Sequence, residues 1–119
     1  MEVSEINTQR FDVALELLRE GSPMTFDGVS FWIAPDGVLH VSVDSSWHIS
    51  NITEQTALSD LDRAKNVLAY LIRESPAFAS IVEGHAQEFH FGCDAGKSGV
   101  ELARLVNGKL IWAKGAPFS

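Results

Sequence analysis

Between Val29 and Asp44 the chain alternates apolar and polar residues on both sides of a Pro35-Asp36-Gly37 turn signal. Val29, Phe31 and Ile33 interleave with Ser30, Trp32 and Ala34. Leu39, Val41 and Val43 then interleave with His40, Ser42 and Asp44. A period of two puts every second side chain on one face. Two such runs around a tight turn predict an antiparallel hairpin with one buried face and one polar face. The buried face needs a covering layer, and the rest of the chain must supply it. Asp27-Gly28, just upstream, reads as an earlier turn or as a bulge.

Helical periodicity supplies that layer. From Thr8 to Glu20, Phe11, Leu15 and Leu18 share a stripe with Ala14 beside them, and Gly21-Ser22-Pro23 ends the run. From Ser59 to Arg73, Leu61, Ala64, Leu68, Leu71 and Ile72 share a face, with Ser59 placed to cap the first turn and Asp62 in the capping-box position. A first helical turn is expected near Thr53, at the end of an aperiodic stretch. Ser75-Pro76 opens a short second helix, closed by Gly84, with Ala77, Phe78, Ile81 and Val82 on its buried side.

Gln87 to Cys93 alternates again, with Phe89, Phe91 and Cys93 opposite Glu88 and His90. Beyond it stands Gly96-Lys97-Ser98, which raises the question of a phosphate loop. That motif places its first glycine five residues before the second, and position 91 is phenylalanine; Gly92 leaves the loop one residue short. No aspartate follows Lys97 to hold a magnesium ion. Asn107-Gly108 explains the end of the chain better, as a two-residue hairpin turn. It sets Leu105 against Leu110, Ala103 against Trp112 and Glu101 against Lys114 on one face. Leu102 with Ala113, Arg104 with Ile111 and Val106 with Lys109 make the other. A helix from Ser98 to Gly108 is the competing reading of the same residues, and nucleotide binding is not expected.

These elements predict an α+β domain spanning residues 1–119, in the order αββααβββ. It is a two-layer structure, an antiparallel sheet of about five strands with helices mainly on one face. A chain of 119 residues, 45% hydrophobic, suits one such domain and one core. Its single cysteine, Cys93, excludes an intrachain disulfide. The opening MEVSEINTQRFDV has no basic start followed by an apolar core, and no run is long enough to span a bilayer, so a cytoplasmic location is expected.

Charge points toward a partner. The net charge is −7, which argues against a nucleic-acid surface. No Lys or Arg lies between Arg19 and Arg63, and that interval holds seven of the 16 acids: Glu20, Asp27, Asp36, Asp44, Glu54, Asp60 and Asp62. The nine others balance the nine Lys and Arg. The whole excess therefore sits in the central segment, either as a solvated face or as a docking surface for a basic protein.

The four histidines offer no metal spacing. His40, Asp44 and His48 can converge, but nothing in their spacing requires it, and a metal needs three or four ligands from fixed elements. No nucleophile elbow or metalloprotease helix occurs. No cofactor and no catalytic set are expected. The outer face of the first hairpin carries the most information: tryptophan on a polar strand face is typical of interface anchors, the alternatives being that helices cover both sheet faces or that Trp32 packs under the long loop that follows. The partner-binding residues expected are Trp32, Asp36, His40 and Asp44, with Trp47 and His48 just beyond. In general character the chain resembles the bacterial immunity proteins that neutralise basic toxins by occlusion, although no motif identifies a family. The alternatives are a small-molecule-binding domain or enzyme with a pocket between sheet and helices, using His40, His48 or His90, and a subunit of a homo-oligomer.

Overall fold

The computed structural model describes residues 8–43, 53–85, 87–92 and 101–113. Its elements are α1 (Thr8–Arg19), β1 (Met24–Phe26), β2 (Val29–Ile33), β3 (Leu39–Val43), α2 (Glu54–Glu74), α3 (Pro76–Val82), β4 (Glu88–Gly92), β5 (Glu101–Val106) and β6 (Lys109–Trp112). The strands form one six-stranded sheet in sequence order, β1 to β6. This is the expected α+β two-layer arrangement with two corrections. The sheet has six strands, not five, and its central pair, β3 with β4, is parallel while every other neighbouring pair is antiparallel. Connection length explains the parallel pair. The long α2–α3 excursion carries the chain back across the sheet, so β4 starts from the same end as β3.

The extra strand comes from Asp27-Gly28, which is a turn and not a bulge. Asp27 and Gly28 have φ of 52° and 76°, the left-handed pair that a two-residue hairpin of matching twist requires. Met24 thereby pairs with Phe31. Asn107 and Gly108 repeat the geometry with φ of 52° and 82°. Residues 101–106 are therefore a strand and not a helix. The register Leu105–Leu110, Ala103–Trp112, Arg104–Ile111 and Val106–Lys109 is the one the turn dictates. The Glu101–Lys114 pair falls outside the described residues, as do Cys93 and the Gly-Lys-Ser segment.

Between β4 and β5 the ladder slips. Phe91 pairs with Ala103 and Gly92 with Glu101, so Leu102 is an extra residue. Strict alternation puts Leu102 on the polar face with Arg104. The bulge instead buries Leu102 and Ala103 in succession, both at 0% exposure.

Thr53 caps α2 by accepting from the Thr56 amide, so the helix begins before Ser59, which lies inside it. Thr53 wins because its extended backbone lets its hydroxyl satisfy an orphan amide that Ser59, in mid-helix, cannot. Ser75 caps α3 in the same way, accepting from the Phe78 amide, with Pro76 at the first helical position. Ala77 is exposed and Ile81 half-buried, so Phe78 and Val82 carry the core contacts of that helix.

The core lies between the helices and one sheet face. Phe11, Leu15 and Leu18 of α1 and Leu61, Ala64, Leu68 and Leu71 of α2 pack with Phe31, Val41, Phe89 and Phe91. Phe31 meets Phe78 edge-on with ring centres 5.4 Å apart, and Phe11 meets Phe26 at 5.9 Å. Full burial of a ring such as Phe31 or Phe78 is worth about 1.5–3 kcal/mol, and the partly buried Phe26 contributes less. Among the described residues no helix is long and apolar enough to cross a membrane.

Candidate functional site

With the apolar residues of each strand turned to the helices, the alternate residues make the opposite face, against which no described helix packs. Strand register lines them up. Trp32 pairs with His40, His40 with His90, His90 with Arg104 and Arg104 with Ile111. The result is one row across β2 to β6, about 19 Å long at ordinary strand spacing. A hydroxyl row runs beside it, in which Thr25 pairs with Ser30 and Ser30 with Ser42. Thr25 Oγ1 and Ser30 Oγ are 2.8 Å apart. On the other side lie Glu88, Val106 and Lys109.

The row is in contact along its first half. The Trp32 and His40 ring centres are 5.2 Å apart, and those of His40 and His90 are 5.0 Å apart at 73°. All three residues are half-buried. Trp32 Nε1 donates to the Gly21 carbonyl oxygen at 2.7 Å, which holds the ring against the turn that follows α1. At the far end Arg104 is exposed, and Ile111 keeps 46% of its surface in solvent. The row thus joins ring faces at its Trp32 end to a guanidinium and an aliphatic side chain at the other, while Ser42 in the neighbouring hydroxyl row is buried.

Of the residues picked from sequence, Trp32 and His40 come together on this face. Asp36 sits in the β2–β3 turn, where its Oδ1 accepts from the Val38 amide at 3.0 Å. Asp44, Trp47 and His48 lie outside the described residues. Sequence reasoning placed His90 on a polar strand face but could not seat it beside His40, because that requires knowing that β3 and β4 are neighbours.

The acidic segment is not one surface. Glu20 follows α1, Asp27 and Asp36 occupy turns at opposite ends of β2, and Glu54, Asp60 and Asp62 lie on α2, in the helix layer. Chain neighbours part here because the hairpins and the crossover send them to different layers. Glu20 precedes Gly21, whose carbonyl oxygen accepts from Trp32, and Asp36 lies in the turn that follows β2; both are exposed. Arg104 and Lys109 stand at the far end of the row.

A separate apolar cleft of about 220 Å³ opens between α2 and the β4–β6 side of the sheet, lined by Lys65, Leu68, Ile72, Gln87, Phe89 and Leu105 among others. It is smaller than the roughly 300–1,000 Å³ usual for ligand pockets. His40 and His90 are on the opposite face of the sheet, so a pocket between the layers does not contain them. Among the described residues no group of three or more His, Cys, Asp or Glu is placed to hold a metal.

No protein-family model, curated protein or solved structure matches the chain.

Proposed function

We propose that the protein is a small protein-binding module that docks its partner on the helix-free face of the sheet. The observation that carries this reading is the in-register row from Trp32 to Ile111 on the sheet face turned away from the helices, aromatic at one end and aliphatic at the other, where Ile111 is 46% exposed. Trp32 and the imidazoles supply rigid contact area at low entropic cost, as interface anchors do. The partner is a basic protein. The net charge of −7 attracts it at long range, and Glu20 and Asp36 direct it to the Trp32 end. Occlusion of a basic toxin, as by an immunity-type inhibitor, is the narrower form of the same reading.

The test uses one substitution on each layer. Ile111→Arg changes the outer face, and Leu58→Arg makes the same change on α2, where Leu58 is 42% exposed. Immobilised wild-type chain and both variants are challenged with the same lysate, and the proteins retained are compared. Docking on the sheet face requires that a basic protein held by wild type and by Leu58→Arg is released by Ile111→Arg. Retention by Ile111→Arg with loss in Leu58→Arg moves the interface to the helices and ends this proposal.

A further inference from the structure

We propose that the cleft between α2 and the β4–β6 side of the sheet binds a small organic monocarboxylate, an acid with a one-ring or short-chain apolar body. The cleft exists because the helix layer is narrower than the sheet. α1 packs chiefly on β1 and β2, and α2 on β3, so the inner face of the sheet runs out from under α2 toward β6. Lys65, Leu68, Ala69 and Ile72 recur at the i, i+3, i+4, i+7 spacing of one helix stripe, and this stripe is the wall. It adjoins the buried stripe through Leu61, Ala64 and Leu71, and Leu68 belongs to both. Phe89 and Leu105, in register on β4 and β5, are the floor. Gln87 stands at the edge, just ahead of β4.

The lining sets the ligand. At about 220 Å³ the cleft is too small for a drug-sized molecule, yet larger than the roughly 150 Å³ cavity, walled by Leu, Ile and Phe, that stays dry and takes up a benzene ring. Leu68, Ile72, Phe89 and Leu105 offer the same chemistry, so an apolar body leaves water favourably there. The polar part of the lining is one ammonium and one amide, on Lys65 and Gln87, both exposed at the rim. The ion pairs among the described residues are Arg19–Glu16 and Arg73–Glu74, so Lys65 is held by no acid of α2, Asp62 one turn earlier included. One cation and one amide donor match a single carboxylate, whose oxygens accept from both. A phosphate brings a second charge, which nothing in the lining offsets and which a chain of net charge −7 repels. The Lys65 stem extends the apolar wall while its ammonium stays in water, where the acid group of a seated ligand also lies.

3-Phenylpropionate is titrated into the full chain near neutral pH and followed by methyl and amide NMR. 3-Phenylpropan-1-ol, the same body without the charge, is titrated beside it. Saturable shifts are expected first at Leu68, Ile72 and Leu105. The alcohol binds at the same residues roughly two- to fivefold more weakly, the factor that one exposed ion pair supplies, and Lys65→Gln brings the acid down to the affinity of the alcohol. Ala69→Phe, on the exposed flank of α2, fills the cleft and abolishes binding of both. Lys109→Gln, whose side chain shares the outer face with Ile111, leaves both unchanged. The wild-type shift map and the acid-to-alcohol ratio need no variant, so they decide the matter even where a substitution disturbs the fold. Absence of saturable shifts, first shifts away from the cleft, or equal affinity for acid and alcohol overturns the assignment. So does undiminished acid binding in folded Lys65→Gln or Ala69→Phe. No partner protein enters the experiment, so it stands or falls apart from docking on the opposite face of the sheet.

Discussion

Trp32 Nε1 donates to the carbonyl oxygen of Gly21 at 2.7 Å, joining a strand residue to the turn that ends the first helix. The residue most suited to anchor a partner is thus also part of the fold, and the two roles separate by substitution. Trp32→Phe keeps an aromatic ring beside His40 and removes the donor. It is expected to cost about 0.5–1.5 kcal/mol in urea unfolding, the usual worth of one hydrogen bond. Trp32→Ala loses the ring contact as well and costs more. Equal stability of Trp32→Phe and wild type removes the tether from the account of the fold.

Arg63 ties the helix layer to the β1–β2 turn. Its Nη2 donates to the Asp27 carbonyl oxygen at 2.6 Å, and a Cβ added to Gly28 falls 2.8 Å from the same nitrogen. Gly108 has a similar φ, and a Cβ added there meets nothing within 4 Å. Alanine at either site is strained by on the order of 1 kcal/mol through positive φ alone. Gly28→Ala is expected to be the costlier, because Arg63 must also leave Asp27. In an Arg63→Met background the excess disappears. Thermal unfolding of the five chains, wild type included, checks this, and equal costs at both glycines refute it.

Asp36 separates charge from structure. Its Oδ1 accepts from the Val38 amide and closes the turn in which Gly37 has φ of 84°. Asparagine retains that acceptor and alanine does not. Asp36→Ala is expected to lose about 1 kcal/mol and Asp36→Asn only a few tenths. Denaturant midpoints decide it, and they also establish Asp36→Asn as the clean probe of the charge.

Local chemistry was legible in the sequence, and neighbour relations across the chain were not. Asn107-Gly108 and Pro35-Asp36-Gly37 dictate their hairpins because turn geometry sets register within a few residues. The parallel pairing of β3 with β4 is decided by how α2 and α3 pack over the sheet, which no local pattern encodes. The same limit divides the candidate site. Trp32 and His40 share a face by alternation within one hairpin, whereas His90 and Arg104 join them only through the β3–β4 junction. Leu102 departed from its expected face because a bulge cancels the period of two that the reading relied on.

Leu102 and Ile111, on neighbouring strands, are expected to respond in opposite ways. Leu102 is fully buried, so Leu102→Ala leaves a cavity and costs about 2–5 kcal/mol. Ile111 is 46% exposed, and Ile111→Ala stays within about 0.5 kcal/mol of wild type. Urea unfolding gives both values. A large loss at Ile111 shows that something covers the end of the row, and the outer face is then not open for docking.

Steering by the acids near Trp32 has a kinetic signature. If a basic partner approaches that end of the row, exposed charge speeds encounter while the ring contacts govern escape. The combined Glu20→Gln and Asp36→Asn variant is therefore expected to associate more slowly and to dissociate at nearly the wild-type rate. The difference between variant and wild type shrinks with salt, since the screening length falls from about 10 Å at 0.1 M to 3 Å at 1 M. Trp32→Phe shows the converse, an unchanged on-rate and a faster off-rate. Surface plasmon resonance at the two salt concentrations, with the captured partner, resolves both rates. A wild-type on-rate indifferent to salt means that the acids of this end take no part in recognition. The contact would then rest on the aromatic and aliphatic residues of the row alone, and the case for a basic partner would fall with the steering.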